Sequence, residues 1–223
     1  MPKPDAEMSA KVKVWDLPTR IFHWLLVILC TASVITAQID ELEWHERSGL
    51  AIFILVLSRV IWGVIGSETS RFSHFVKGPG AIMAYLRGLL DRSTPHAAGH
   101  NPVGALVVVL FICLLLTQAT TGMFANDEIV FEGPLADLVS RDMSDNLTSW
   151  HHYVAQALLW LVGLHVVANI GYWLVLKHNL ILPMLTGKAS FQGATALFWR
   201  SGFVAIVVLC AVALVVGLTI GFR

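Results

Sequence analysis

Five runs of apolar residues, each long enough to cross a bilayer, fix what this chain can become. They cover about Ile21 to Ile39, Gly49 to Ile65, Pro102 to Phe124, Trp150 to Leu176 and Gly202 to Gly221. A hydrocarbon layer of about 30 Å needs about 20 residues of helix to span it. Inside that layer every backbone N–H and C=O must be satisfied within the chain, so runs of this length become helices. The expected fold class is an all-α membrane protein: a transmembrane four-helix bundle plus a fifth C-terminal transmembrane helix. Hydrophobic residues make up 56% of the chain and charged residues only 13%, about half the charged share of a soluble domain. No internal repeat or low-complexity segment divides the sequence. It reads as a single integral membrane domain over residues 1–223, with a four-helix core at about 15–177 and the extra helix at about 200–221.

Composition excludes several functions. Lys plus Arg equals Asp plus Glu at 15 each, so nothing points to nucleic acid. Cys30, Cys113 and Cys210 each sit inside an apolar run, outside any CxxC or CxxCH pattern. That argues against a disulfide, a zinc site and covalent haem attachment, and leaves three buried thiols. The first twenty residues are polar and lack a hydrophobic stretch, so no cleavable signal peptide is expected.

Flanking charge orients the spans. On one side lie Lys3, Lys11, Lys13 and Arg20, then Arg71, Lys77, Arg87 and Arg92, then Lys177, Lys188 and Arg200. The other side has only Arg47, Arg141 and Arg223, and its loops are acidic, from Asp40, Glu41, Glu43 and Glu46 to Asp127, Glu128 and Glu132. The N-terminus is therefore expected in the cytoplasm and the C-terminus outside. Trp44 and Trp150 fall at the outer interface, and Trp62, Trp173 and Trp199 at the inner one, as an aromatic belt would. Two loop segments read as short interfacial helices: Gly78 to Leu90 on the inside and Gly133 to Met143 on the outside.

The fourth run carries three histidines, His151, His152 and His165. An ionisable side chain in hydrocarbon is costly and marks a function by default. Fourteen residues separate His151 from His165, which leaves them about 40° apart in azimuth and about 21 Å apart along a helix. They share one face, near opposite sides of the membrane. His152 points elsewhere. His23 lies near the inner end of the first run and His45 near the outer end of the second. The four sort by depth into an inner pair, His23 with His165, and an outer pair, His45 with His151. Each pair could clamp one iron axially between facing helices, giving two bis-histidine b-type haems stacked about 20 Å apart. A lone histidine of this kind could equally bond a neighbouring helix or line a proton path. His74, His96 and His100 lie in the long inner loop, and His178 at the inner end of the fourth run; they are read as solvated or as partners of a helix terminus.

Haem also needs room and counter-charge. Gly49, one turn after His45, and Gly163, beside His165, would let a porphyrin or a helix approach closely. Arg59 is a charge inside the second run, and a haem propionate is a natural partner. Arg20, one turn before His23, could serve the same anion or snorkel to lipid phosphate.

Further segments occur in a fixed order: Val14 to Trp24 (VWDLPTRIFHW), Leu57 to Ser67 (LSRVIWGVIGS), Arg71 to Pro79 (RFSHFVKGP), His100 to Leu106 (HNPVGAL), Thr120 to Phe124 (TTGMF), Gly133 to Leu138 (GPLADL) and Leu180 to Ala189 (LILPMLTGKA). With the HH…LH helix they resemble the bacterial di-haem cytochrome b561 family, in the branch containing the cytochrome b subunit of nickel–iron hydrogenases, over about residues 12 to 190. The resemblance implies four transmembrane helices holding two haems b through His23, His45, His151 and His165, paired as above. One position departs from the family pattern. An acidic residue usually follows the first histidine of the fourth helix, and His152 stands there.

The resemblance also implies a function: electron transfer in the bacterial inner membrane between a periplasmic partner and the quinone pool. The partner would be a c-type cytochrome, drawn to the acidic outer loops, or a hydrogenase, and the protein could assemble as a homodimer in the lipid. Two competing readings stay open on the residues alone. One is a superoxide:quinone oxidoreductase, which the acidic outer loops disfavour because they repel the anion. The other is a haem-free proton-coupled transporter, which would usually show broken helices and repeats.

Overall fold

The computed structural model describes residues 11–90, 99–129, 131–175, 177, 179–190 and 197–221. Lys3, Arg92, His96, His178 and Arg223, all weighed above, lie outside these. Five helices are long and apolar enough to span a membrane: α1 (Leu17–Gln38), α2 (Leu42–Ile65), α5 (Pro102–Met123), α6 (Arg141–Val175) and α8 (Gly202–Ile220). Between them lie the shorter α3 (Phe72–Phe75), α4 (Pro79–Leu90) and α7 (Ile181–Thr186). The expected all-α membrane architecture is what the chain adopts.

Local signals set the starts of these helices. Asp16 caps α1 by accepting from the Thr19 N–H at 2.8 Å, with Pro18 in the first turn. Asn101 caps α5 in the same way through the Gly104 N–H, ahead of Pro102. Because Asp16 sets the start, α1 begins four residues before its apolar run, and His23 falls in its second turn. His45 lies in the first turn of α2, at the start of that helix as expected. The largest difference is α6, which begins nine residues before Trp150 and is roughly 50 Å long. Its polar first turns are tied to the loop before it: Asn126 Nδ2 donates to Ser144 Oγ at 2.6 Å and to Asp145 Oδ1 at 2.9 Å. His151 is therefore the eleventh residue of its helix.

The inner interfacial helix is present as α4. The outer one is not: the segment from Gly133 gives one 3-10 turn, Ala136–Leu138, and then an extended Val139. Ser140 Oγ accepts the Met143 N–H at 3.3 Å and starts α6, so the last residues of the expected helix belong to a different element. One feature has no counterpart in the sequence reading. β1 (Lys11–Lys13) pairs antiparallel with β2 (Lys188–Ser190); three-residue polar strands are too short to show a period-two pattern.

Packing centres on α2, which lies against α1, α5 and α8, while α6 packs mainly on α5. Ile52 and Val56 of α2 and Ile112 and Leu115 of α5 form the core, with Phe22, Leu26, Phe72 and Leu158 against it. In contrast, α1 buries only Thr19 against the rest of the chain, and α6 only Ser144 and Val154, among the described residues. The helices are locked together at the inner end. Asp16 accepts from Trp62 Nε1 at 3.0 Å and from Ser70 Oγ at 3.1 Å, and Ser70 Oγ meets Thr19 Oγ1 at 2.8 Å. Trp62 is thus buried in this network and is no lipid-facing belt residue. The Arg200 N–H donates to Ser67 Oγ and the Phe198 N–H to Glu68, bringing the start of α8 to the same place.

Burial pushes the Asp16 carboxyl up, but hydrogen bonds from Thr19, Ser67 and Trp62 outweigh it and leave the group below its ordinary value. A carboxylate lowered in the folded state contributes stability that is fully present above its unfolded value of about 3.9 and fades as pH falls through the lower folded one. Asp16→Asn is expected to lose about 2–3 kcal/mol by thermal unfolding in detergent at pH 7, with the gap from the parent closing below pH 4. A variant as stable as the parent at pH 7 would contradict this role.

Candidate functional site

The outer pair comes together. His45 of α2 and His151 of α6 face each other with ring centroids 5.9 Å apart and planes at 90°. Their orientation is fixed from behind. His45 Nδ1 lies 2.8 Å from the Ser33 carbonyl oxygen of α1, with Ser33 Oγ at 3.1 Å. His151 Nδ1 lies 2.9 Å from the Gln118 carbonyl oxygen of α5. A nitrogen that close to a carbonyl oxygen must donate, so each ring carries its proton on Nδ1 and keeps the Nε2 lone pair. The Gln118 side-chain amide lies 3.0 Å from His151 Nε2 and treats it as an acceptor. Bonds of about 2 Å from one metal ion to two imidazole nitrogens, plus the radius of each ring, require a centroid separation close to the one seen.

His152 is exposed, with its ring 6.2 Å from that of His151. It is His151 that turns toward His45. The backbone of α5 shapes the cradle. A Cβ at Gly122 would lie 2.7 Å from His151 Cε1, so only glycine lets the ring sit there. At Gly49 an added Cβ meets no atom within 4 Å, and Gly163 is equally open.

The inner pair is looser. His23 of α1 and His165 of α6 lie within electrostatic reach of each other. His23 Nδ1 is buried without a hydrogen-bond partner. Asn169, one turn beyond His165, places its amide 3.3 Å from His165 Nε2 and donates to the His165 carbonyl at 2.7 Å. The Phe111 ring stands edge-on at 5.7 Å.

The two arginines differ. Arg59 is 4% exposed, has an unpartnered Nη1, and lies over the rings of Phe22 and Phe72 at 6.0 and 5.5 Å. Arg20 donates through Nη2 to the Leu185 carbonyl and packs against Gly187, whose φ of +79° suits glycine. It ties α1 to the end of α7 rather than reaching for lipid. Its Nε is buried and unpartnered, one turn before His23.

Sequence reasoning missed Ser33, Gln118, Gly122 and Asn169. Asn169 at i+4 from His165, and Gln118 as a polar residue in an apolar run, were visible signals. The carbonyls of Ser33 and Gln118 left none, because any residue supplies one. Among the described residues no group of three or more His, Cys, Asp or Glu could hold a metal ion. The donor sets are pairs of imidazoles, which suits a planar tetradentate group completed by two axial nitrogens, as in haem.

The family profile described as prokaryotic cytochrome b561 matches residues 14–187. The chain is 20% identical over 217 residues to a probable Ni/Fe-hydrogenase B-type cytochrome subunit of Bradyrhizobium diazoefficiens, covering 81% of this chain and 87% of that one. It is 24% identical over 216 residues to a protein of the same description from Azotobacter chroococcum, covering 81% and 89%. It is 22% identical over 180 residues to a probable superoxide oxidase of Yersinia pestis, covering 74% and 92%.

Gly122→Val is expected to overpack the His151 cradle and destabilise by about 1–3 kcal/mol, whereas Gly80→Ala, at an open position of α4, leaves stability unchanged or higher. Thermal unfolding of the two variants measures the difference. Equal behaviour would show that the α5 backbone does not set the His151 position.

Proposed function

The chain belongs to the prokaryotic cytochrome b561 family, and from that premise we propose how this membrane b-type cytochrome carries out electron transfer. It holds two haems b. His45 and His151 would hold the outer one, and His23 and His165 the inner one. It passes electrons between a periplasmic partner and the membrane quinone pool. The reading rests above all on one observation: His45 and His151 face each other, each with Nδ1–H tied to a backbone carbonyl, which leaves Nε2 as the acceptor nitrogen of each ring.

A bound haem b supplies a one-electron iron couple. The chain supplies everything that tunes it. The Ser33 and Gln118 carbonyls hold the outer imidazoles in one tautomer and raise their basicity. Asn169 and Phe111 position His165. Arg20 and Arg59, each with a buried unpartnered nitrogen, offer counter-charge to propionates. Gly49 and Gly163 leave room beside the rings for a macrocycle. Because α6 carries one ligand of each pair, it spans both sites.

Lys and Arg concentrate on the side of the N-terminus, which supports an inner-membrane protein with that end in the cytoplasm and the C-terminus in the periplasm. The chain is one integral membrane domain, a core at about 15–177 with α8 packed outside it on α2. The acidic outer loops beside His45 and His151 suit a positively charged periplasmic partner, such as a c-type cytochrome; a hydrogenase is the alternative. Family membership argues against the haem-free transporter. Similarity to a probable superoxide oxidase keeps a second reading alive, superoxide:quinone oxidoreductase, although Asp40, Glu41, Glu43 and Glu46 would repel the anion from the outer site. Reduction by superoxide at near-diffusional rates in stopped flow would favour that reading.

Purified protein is expected to be red, with two haems b per chain and a split or broad reduced α-band. His165→Ala should lose the inner haem and keep the outer, His151→Ala should do the reverse, and His152→Ala should keep both. Loss of a haem in His152→Ala with retention in His151→Ala would reassign the ligand.

A further inference from the structure

A second polar cluster takes no part in the ligation just described. It lies at the inner end, where the C-terminal half of α2, the turn at Glu68–Ser70 and the start of α5 meet. Three buried groups there lack a hydrogen-bond partner: Arg59 Nη1, Thr69 Oγ1 and His100 Nδ1. Thr69 is fully buried. A Cβ at Gly99, next to His100, would meet Thr69 Cβ and the Trp15 ring, both at 3.9 Å, so the two side chains flank one backbone position. The His100 ring packs against Trp15 and Phe75, each at 4.6 Å between centroids. Burial first, then the charges of Arg59 and His74, pushes His100 down to about 3. The ring is neutral at physiological pH, and Phe72, over which Arg59 lies, packs at 5.6 Å on the Phe75 ring that His100 contacts.

Buried polar groups are almost always satisfied, and three together call for a missing acceptor. The chain does not supply it. Asp16 is the carboxylate that Arg59 senses, but its oxygens already accept from Thr19, Trp62 and Ser70. Among the described residues no ion pair includes Arg59. A guanidinium, a hydroxyl and a neutral imidazole can each present a hydrogen, and a carboxylate has two oxygens with room for all three. Arg59 lies fourteen residues after His45 on α2, the same offset that separates His151 from His165 on α6. It is therefore at the depth of the inner pair, and it lies over Phe22, the neighbour of His23.

We propose that Arg59, Thr69 and His100 form a carboxylate pocket that holds one propionate of the inner haem. The proposal rests on the inner site described under the proposed function, and it adds Thr69 and His100 as binding residues. It also explains how a buried arginine is retained in a membrane helix: its partner arrives with the cofactor.

The test uses the holoprotein carrying haem with carbon-13 in the propionate carboxyls, and the variants Thr69→Val and His100→Leu. Each variant removes one donor and leaves Arg59 and all four histidines in place. Redox-difference infrared spectroscopy reads the labelled carboxylate bands, and a redox titration reads each haem separately. Both variants are expected to shift a labelled band and to lower the inner-haem potential while the outer haem is unchanged. Haem content is counted first. Two haems with unshifted labelled bands in both variants would overturn the pocket and leave the ligand assignment standing. A preparation with only an outer haem would overturn the inner site and the pocket with it. If formate shifts the inner-haem potential in the parent but not in the variants, while the labelled bands stay fixed, the pocket takes a free anion and the propionate assignment fails.

Discussion

An imidazole inside a bilayer has two nitrogens to satisfy and no water to do it. At the outer pair the Nδ1–H groups of His45 and His151 are met by the carbonyls of Ser33 and Gln118. Each carbonyl has more than one lone pair and also accepts from a threonine hydroxyl, Thr36 Oγ1 at 3.1 Å on Ser33 and Thr121 Oγ1 at 3.0 Å on Gln118. That leaves each Nε2 with its lone pair, the one on His151 meeting the Gln118 side-chain amide at 3.0 Å. The helices are arranged to hold this geometry: α1 and α5 stand behind α2 and α6 and supply the carbonyls. All four helices of the bundle therefore contribute to one pair of rings.

The packing reflects the same division. The chain's own core lies along α2 and α5, around Ile52, Val56, Ile112 and Leu115. The two helices that bear His23 and His165 bury little against the rest of the chain. A cofactor between them would supply apolar area that the polypeptide does not, and would complete the bundle on that side. At the inner end the helices are held without a cofactor, through Asp16 and its three donors from α1, α2 and the following turn. The bundle is thus fixed at one end by a polar network and opened along its length by glycines where the rings stand.

Much of this was legible in the sequence, for physical reasons that can be named. Hydrophobic length alone gave the five spans, because a bilayer leaves a chain few alternatives. Helical geometry placed His151 and His165 on one face, and depth matched His45 to His151. The limits are equally specific. The start of α6 was misplaced because residues 141–149 are polar and look like loop until Asn126 is seen to tie them down. The strand pair at the inner face is too short for any pattern. The second shell was largely hidden: a carbonyl has no signature, and Gly122 reads as a packing glycine until the His151 ring is placed against it. Trp62 looked like an interfacial tryptophan, whereas it donates to a buried aspartate.

The central claim, that two pairs of imidazoles each hold an iron, is tested most directly by low-temperature electron paramagnetic resonance of the oxidised protein. Two low-spin ferric signals of the bis-imidazole type are expected, the outer one strongly anisotropic, as crossed ring planes produce. Conversion of one signal in His23→Ala or His165→Ala, and of the other in His45→Ala or His151→Ala, would assign them. A high-spin ferric signal in the unmodified protein, marking an iron with an open axial position, would contradict the account.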